Sequence, residues 1–467
     1  MTFPLPTFGL RSLSLLAASA IAAATLSASG PGAQATGATA VSAPVAAKRA
    51  ANPVTPGDFT GFGFDQCLAP TQRAMNAWRR SSPFSAVGIY ISGDSRACRN
   101  QPNLTPTWVA DQLRLGWRLL PITLGPQASC QPRFPRYSDD VRINPKPGAD
   151  KLYTTAQRQG LAEAVKTVTD AQALGITRGS TLWYDLEGFD SGNTHCRESA
   201  LSFLSGWTTR LRALGYVSGV YSSAGSGIAA LDQARIKRPN RFVLPDRIWL
   251  ARWDGVANTS TSYVRSDGWQ PGRRIKQYRG GHDEVHGGVR INIDSNYLSL
   301  GRGSVAAPEA RCGGVGVSFT SYPVIRAPKG DTTPSRAHVK ALQCLLQERG
   351  LFRGRLTGTY GPTLVTAMNA WQRSQGLPVS RNWHTRPWMT LLAVGARPVL
   401  KFGSTGHPVR GVQRTLNASR VGTPVRVTGV YDAATAAKVR AWQAKVKLPV
   451  TGVVAGDSWL RLAKGYR

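Results

Sequence analysis

The sequence predicts an α/β fold, a (β/α)8 TIM-like barrel followed by two small three-helix modules, and three observations carry that prediction. Between residues 58 and 302, short apolar runs alternate with amphipathic stretches in a βα rhythm. That span is roughly 245 residues, the usual size of such a barrel. Beyond residue 320 the chain repeats itself at a nearly constant offset. The full length of 467 residues exceeds what one core supports.

Taken in order, the first expected element is a secretory leader over 1–35, with Arg11 before an apolar stretch from Leu13 to Leu26 and the triplet Ala33-Gln34-Ala35 as a cleavage site. An apolar run this short does not span a bilayer, so no membrane span is expected once the leader is cleaved. The Ala-, Pro-, Thr- and Gly-rich residues 36–57 read as a linker, with order beginning near Gly61. Strands are expected at 61–65, 86–92, 118–124, 180–187, 216–222, 247–253, 274–278 and 289–294. Helices fall between them at Thr71 to Arg80, Pro106 to Gly116, Thr154 to Leu174 and Glu198 to Leu214. A doubly wound open sheet is the structural alternative, and no GxGxxG or P-loop string supports a nucleotide-binding version of it. Residues 303–320, rich in Gly, Ala and Val, read as a hinge.

In the repeat, Pro323-Val324-Ile325-Arg326 recurs as Pro398-Val399-Leu400-Lys401, and Val339 through Leu342-Gln343 as Val409 through Val412-Gln413. Gly358-Thr359-Tyr360 recurs as Gly429-Val430-Tyr431, Ala370-Trp371-Gln372 as Ala441-Trp442-Gln443, Leu377-Pro378-Val379 as Leu448-Pro449-Val450, and Trp388 as Trp459. The copies occupy 321–395 and 396–467, each with apolar helical spacing that suits a small bundle. Trp371 and Trp442 read most simply as core.

Composition limits the partners. The 58 Lys and Arg against 25 Asp and Glu give a formal net charge of +33, which predicts attraction to polyanions. In an exported protein the polyanion is a wall polymer rather than nucleic acid. The expected location is therefore secreted and cell-wall associated, and the expected oligomeric state a monomer. The six cysteines, an even number in an oxidising compartment, predict three disulfides, with Cys67–Cys196, Cys98–Cys130 and Cys312–Cys344 as the expected pairs. No CxxC pair occurs and the histidines do not cluster with the cysteines, so no metal is expected, and no cofactor.

In a barrel of this kind chemistry sits at the C-terminal ends of the strands. The polar residues there are Asp65, Asp185, Glu187, Asp254, Gln277 and Asp294. Asp185 and Glu187, spaced i and i+2, share one face of a strand. Two such carboxylates repel, which raises the proton affinity of one and holds it as an acid while the other stays ionised. Glycosidic cleavage needs that division of labour. A lone DxE also suits cap or ion-pair residues; Asp65 and Asp294 favour chemistry because the first and last strands of a closed barrel are neighbours. Tyr184, Tyr221, Trp253 and Tyr278 near strand ends would stack on sugar faces, with Asp254 and Gln277 as further substrate contacts. The string from Gly280 to Gly288, containing His282 and His286, reads as a polar loop tip, and neither GxSxG nor HExxH is present.

Residues 58 to about 300 resemble the glycoside-hydrolase-like domain of uncharacterised function in secreted actinobacterial proteins, a relative of the family 25 lysozymes. The likeness rests on Gly63-Phe64-Asp65, Asp185-Leu186-Glu187, Trp249-Leu250-Ala251-Arg252-Trp253, Gln277-Tyr278 and Ile293-Asp294-Ser295-Asn296. It implies Glu187 as proton donor, Asp185 as its partner carboxylate, and Asp65 and Asp294 as groups that position substrate or water. Chitinase-type barrels carry a further Asp two residues before DxE; here that position is Trp183. The repeats resemble the peptidoglycan-binding module found in tandem on wall hydrolases. Together these likenesses imply a muramidase-type hydrolase of wall glycan, with a non-catalytic glycan-binding scaffold, or a hydrolase of another envelope polysaccharide, as the rival.

Overall fold

Eight strands close into one barrel in chain order: β1 (Phe59–Asp65), β2 (Ala86–Ser92), β3 (Arg118–Thr123), β4 (Thr181–Asp185), β5 (Val217–Ser223), β6 (Arg247–Ala251), β7 (Arg273–His286) and β8 (Val289–Leu300). This is a computed structural model, and it describes residues 51–467. The expected leader, and the linker up to residue 50, lie outside the described residues. Residues 51–57, expected within that linker, are instead packed against the barrel. Thr55 is buried and exchanges hydrogen bonds with the backbone of Leu119, and Asn52 donates to Gly175 O at 2.9 Å.

Helices α1 (Gln72–Ser81), α2 (Pro106–Arg114), α3 (Thr154–Ala173), α4 (Thr194–Ala213) and α5 (Ala229–Lys237) follow β1 to β5. Their starts are set locally. Thr71, Thr105 and Asn193 each accept a hydrogen bond from a backbone N–H of the first turn, and Pro106 opens α2. Helices α3 and α4 pack backbone to backbone through Gly160 and Gly206, where a Cβ would lie 2.0 Å from Phe203 O and 2.1 Å from Gln157 O.

The barrel departs from the parallel pattern at its end. β8 runs antiparallel to both β7 and β1. The reason is length: Gly287 and Gly288, at φ +57° and +75°, turn the chain in two residues, and a parallel return needs a crossover of about a dozen. The string expected as a loop tip is therefore the outer half of a long hairpin. On it, Glu284 accepts from His282 at 3.1 Å and His286 at 2.7 Å, because residues i, i+2 and i+4 of a strand share a face.

Inward-facing residues fill the barrel with Phe59, Leu120, Trp183, Trp249, Ile275 and Leu298. Trp183 and Trp249 meet edge to face with centroids 5.6 Å apart, and Gly219 makes the room, since a Cβ there would lie 2.4 Å from the Trp183 ring. A second, larger core lies between the strands and the helices.

The C-terminal part forms α6 (Arg336–Gln347), α7 (Pro362–Ser374), α8 (Thr385–Leu392), α9 (His407–Ser419), α10 (Ala433–Lys445) and α11 (Gly456–Ala463). The repeated motifs are its hydrogen-bond clamps. Gln343 accepts from Gly358 N at 2.9 Å and donates to Thr359 O, and Gln413 does the same with Gly429 N and Val430 O. Gln372 and Gln443 fix the turn before each third helix, while Trp388 and Trp459 donate to Pro323 O and Pro398 O at 2.9 and 2.7 Å. Trp371 and Trp442 are buried.

The expected hinge is not free. Glu309 receives Arg311, His407 and Arg414; burial alone would raise its carboxyl, but these partners hold it down at about 2. Cys312 is bonded to Cys344. The second module docks on the N-terminal ends of the strands. There the fully buried Lys401, whose burial drives its pKa well below the usual lysine value, donates from Nζ to Ser82 O at 3.1 Å and to Phe84 O, and Phe402 packs on Phe62 with centroids 5.0 Å apart.

Two of the three expected disulfide pairs are corrected. The bonds are Cys67–Cys98 and Cys130–Cys196, with Cα separations of 5.7 and 5.9 Å, alongside the expected Cys312–Cys344. Cys67 and Cys98 follow neighbouring strands β1 and β2. Cys130, on the long loop after β3, reaches the first turn of α4.

Candidate functional site

The C-terminal end of the barrel gathers four carboxylates. Asp65 ends β1, and the antiparallel register of β8 sets Asp294 directly opposite it. Gln277 on β7 ties the two together: its Nε2 donates to both Asp65 oxygens at 3.2 and 3.3 Å and to Asp294 Oδ2 at 3.1 Å. Asn296, two residues beyond Asp294 and so on the same face, donates to Asp65 Oδ2 at 2.6 Å and accepts from the Trp249 indole at 2.8 Å.

On the opposite wall Asp185 ends β4. Its Oδ2 accepts from the Tyr90 hydroxyl at 3.1 Å, and its Oδ1 is buried with no partner among the described residues. Glu187, two residues on, lines the mouth, where Arg133 donates to it at 2.8 Å. The loop after β3 fixes this segment: Gln127 donates to Asp185 O and accepts from Glu187 N, both at 2.8 Å, and Gln131 donates to Gly188 O. The Cys130–Cys196 bond anchors the same loop to α4.

A cleft of about 150 Å³ opens among Asp65, Tyr90, Arg96, Arg136, Glu187 and Asp294. Its floor is hungry for protons. Burial first, then the charge of Asp294, lifts Asp65 to about 8. Burial and the charge of Glu187 raise Asp185 well above the usual carboxylate range, and burial raises Asp294. Tyr90 and Tyr221 are pushed up too, by burial and then by Asp185, so both remain hydroxyl donors.

Of the expected substrate contacts, three border this network. Gln277 is its hub, with its Oε1 accepting from the Tyr221 hydroxyl at 3.0 Å and from the Trp253 indole at 2.9 Å. Trp253 is 66% exposed and lies over Gly280, where a Cβ would come within 2.4 Å of its ring. It is an aromatic face held open at the rim.

The other three are corrected. Tyr184 points outward between Phe203 and Trp207 of α4, with its hydroxyl donating to Pro126 O, because it alternates with the inward Trp183 and Asp185. Asp254 accepts from Lys276 at 2.9 Å, and Lys276 alternates with the inward Ile275 and Gln277, so that pair lies outside the barrel. Tyr278 likewise faces away from Gln277, toward Ser295 and Glu284.

Sequence reasoning gave no role to Tyr90, Gln127 or Arg133, nor to Asn296, which it met only as part of a motif. Tyr90 and Asn296 carried a usable signal, since each sits near the cleft end of a strand in phase with its inward positions. The two loop residues carried none, because nothing in strand periodicity places a loop side chain.

With this geometry in view, the family described as "Rv2525c-like, glycoside hydrolase-like domain" matches residues 76–298, and the "Putative peptidoglycan binding domain" matches 335–380 and 405–459. No curated protein matches the chain. Among solved structures, an uncharacterised protein of B. stearothermophilus is similar at 17% identity, covering 51% of this chain and 95% of that one, with a TM-score of 0.31. The Tat-secreted protein Rv2525c of Mycobacterium tuberculosis, in complex with L-tartrate, is similar at 12% identity, covering 52% and 97%, with a TM-score of 0.34. A family 25 glycosyl hydrolase from Bacillus anthracis is similar at 10% identity, covering 54% and 94%, with a TM-score of 0.31.

Proposed function

As a glycoside-hydrolase-like protein with two peptidoglycan-binding domains, this chain, we propose, is exported to the cell wall and hydrolyses the β-1,4 glycan strands of peptidoglycan in the manner of a muramidase. The observation that carries the reading is the convergence of Asp65, Asp185, Glu187 and Asp294 at one end of the barrel, with proton affinity raised on the buried members.

Asp185 and Glu187 divide the work by burial. Asp185 holds a proton at rest, and Glu187 faces the cleft. As a glycan enters, the exposed Arg133 swings off Glu187, and the proton passes from Asp185 to Glu187 and on to the leaving oxygen as the glycosidic C–O bond breaks, leaving Asp185 ionised to support the positive charge on the sugar. Water then adds to the anomeric carbon, and the proton it releases restores the carboxylate pair. Asp65 and Asp294, tied through Gln277, orient water or substrate on the facing wall. Trp253 offers a stacking face at the rim. The two modules raise the local concentration of the barrel on a repeating polymer, so avidity exceeds either module's own affinity.

The test is release of reducing ends from purified walls of several chemotypes. Wild type should release them and Glu187→Gln should not. Wild type with no release above background on any wall would leave the rival, a barrel that holds glycan without cleaving it. The Arg133–Glu187 ion pair is the observation that favours that rival, because it occupies a Glu187 oxygen that catalysis needs free.

A further inference from the structure

The cleft has an acidic floor but a cationic wall, and the reaction proposed above uses only the floor. Arg96 and Arg136 line the same cavity as Asp65, Tyr90, Glu187 and Asp294. Among the described residues neither guanidinium is in an ion pair, whereas Arg99 beside them is matched to Asp139 and Asp140, and Arg133 to Glu187.

Both are held in place, and Arg96 is short of a partner. Arg96 donates from Nη1 to Tyr90 O at 3.3 Å, and its Nε is buried with no partner. Arg136 donates from Nη1 to Ser95 O at 2.8 Å, its backbone N–H donates to Asp140 at 2.7 Å, and its guanidinium lies 4.9 Å from the centre of the Phe134 ring. A buried donor left unpaired is costly, and one that borders a cleft is a donor that a bound group would satisfy. The floor cancels only part of the wall, because Asp65, pushed up to about 8, keeps its proton at neutral pH, Asp185 is raised well above the usual carboxylate range, and Glu187 is matched to Arg133.

We infer that the sugar seated in this cleft carries a free carboxylate, and that Arg96 and Arg136 bind it. Guanidinium forks match the geometry of a carboxylate, and the bond is charge-assisted. Neighbouring Trp253 and the hydroxyls of Tyr90 and Tyr221 suit a sugar ring rather than a bare anion. Two kinds of residue present that group: a muramic residue whose lactyl carboxylate has lost its peptide, and a hexuronic acid. The inference rests on the glycan reading of the cleft but requires no turnover.

The experiment is calorimetric binding to the full chain of four probes. They are a peptide-free β-1,4 muramic tetrasaccharide, the same compound with its carboxylates reduced to alcohols, a hexuronic acid oligomer, and a polyol-phosphate oligomer. Wild type should bind at least one carboxylate-bearing probe about tenfold or more tighter than the reduced compound. The better of the two acids identifies the source. Arg136→Gln and Arg96→Gln should each lose roughly that factor on the acid and leave the reduced compound unchanged. Arg136 is exposed, so its variant keeps the fold, which circular dichroism verifies. Equal binding of acid and reduced compound, an undiminished preference in both Gln variants, or a preference for the polyol phosphate would overturn the inference. Loss of hydrolysis with this selectivity intact would count against the catalytic reading alone.

Discussion

Replacing Asp65 with Asn should make the protein more stable at alkaline pH while removing a member of the site. In the folded chain burial first, and then Asp294, lift the Asp65 carboxyl from 3.8 to about 8. The native state therefore keeps a proton that the unfolded chain has already released. A folded pKa above the unfolded one gives a contribution fully present below the unfolded value and lost as pH rises through the folded one. For Asp65 that window runs from about pH 4 to about pH 8. At 1.36 kcal/mol per pH unit the loss across it is roughly 5 kcal/mol, and sharing of the proton with Asp294 reduces it to a few kcal/mol. An amide reproduces the neutral carboxyl: its oxygen accepts from Gln277 and Asn296, and its NH2 donates to Asp294. The assay is calorimetry of the barrel transition at pH 5 and pH 8.5 in one ionic strength. The advantage of Asp65→Asn over wild type should be small at pH 5, where about a quarter of the loss has occurred, and larger by roughly 5 °C at pH 8.5. A difference that does not change with pH, or a variant less stable at both, would refute the reasoning.

The remaining predictions concern the frame around the site. Lys401→Ala removes the Nζ donor from Ser82 O and Phe84 O in a buried joint, and should cost about 2–4 kcal/mol and speed protease cleavage within 303–320; unchanged cleavage would mean the module docks without it. Gly160→Ala puts a methyl group 2.0 Å from Phe203 O, and should destabilise the barrel by about 3 kcal/mol or more in urea unfolding, since neither backbone can yield. Peptide mapping of the oxidised protein should recover Cys67 linked to Cys98 and Cys130 linked to Cys196; breaking the latter with Cys130→Ser and Cys196→Ser should cost roughly 4 kcal/mol for its 66-residue separation.

The barrel was legible because burial writes itself into sequence as periodicity. Strands β2 and β3 fall almost residue for residue where apolar runs place them, and Thr71 and Pro106 mark helix starts, whereas α4 begins at Thr194, a turn before the expected Glu198. The direction of β8 was less visible, since a strand's composition does not say which way it runs; the glycine pair at 287 and 288 was the available signal. The site was legible at strand ends, where alternation puts Asp65, Asp185 and Gln277 inward. The same alternation, applied strictly, would have removed Tyr184 and Asp254. Disulfide pairing depends on which loops meet, which no spacing along the chain contains. The +33 charge resolves in part into particular residues: Lys401 is consumed by the fold, Arg133 by Glu187, and Arg96 and Arg136 remain in the cleft unmatched.

The most direct test of the central claim is product analysis by mass spectrometry after the full chain meets a peptide-free β-1,4 wall glycan of defined length. The account predicts shortened oligosaccharides with new reducing ends from wild type, and none from Glu187→Gln or Asp185→Asn at equal protein concentration. Intact glycan with wild type, or identical products from wild type and both variants, would contradict it.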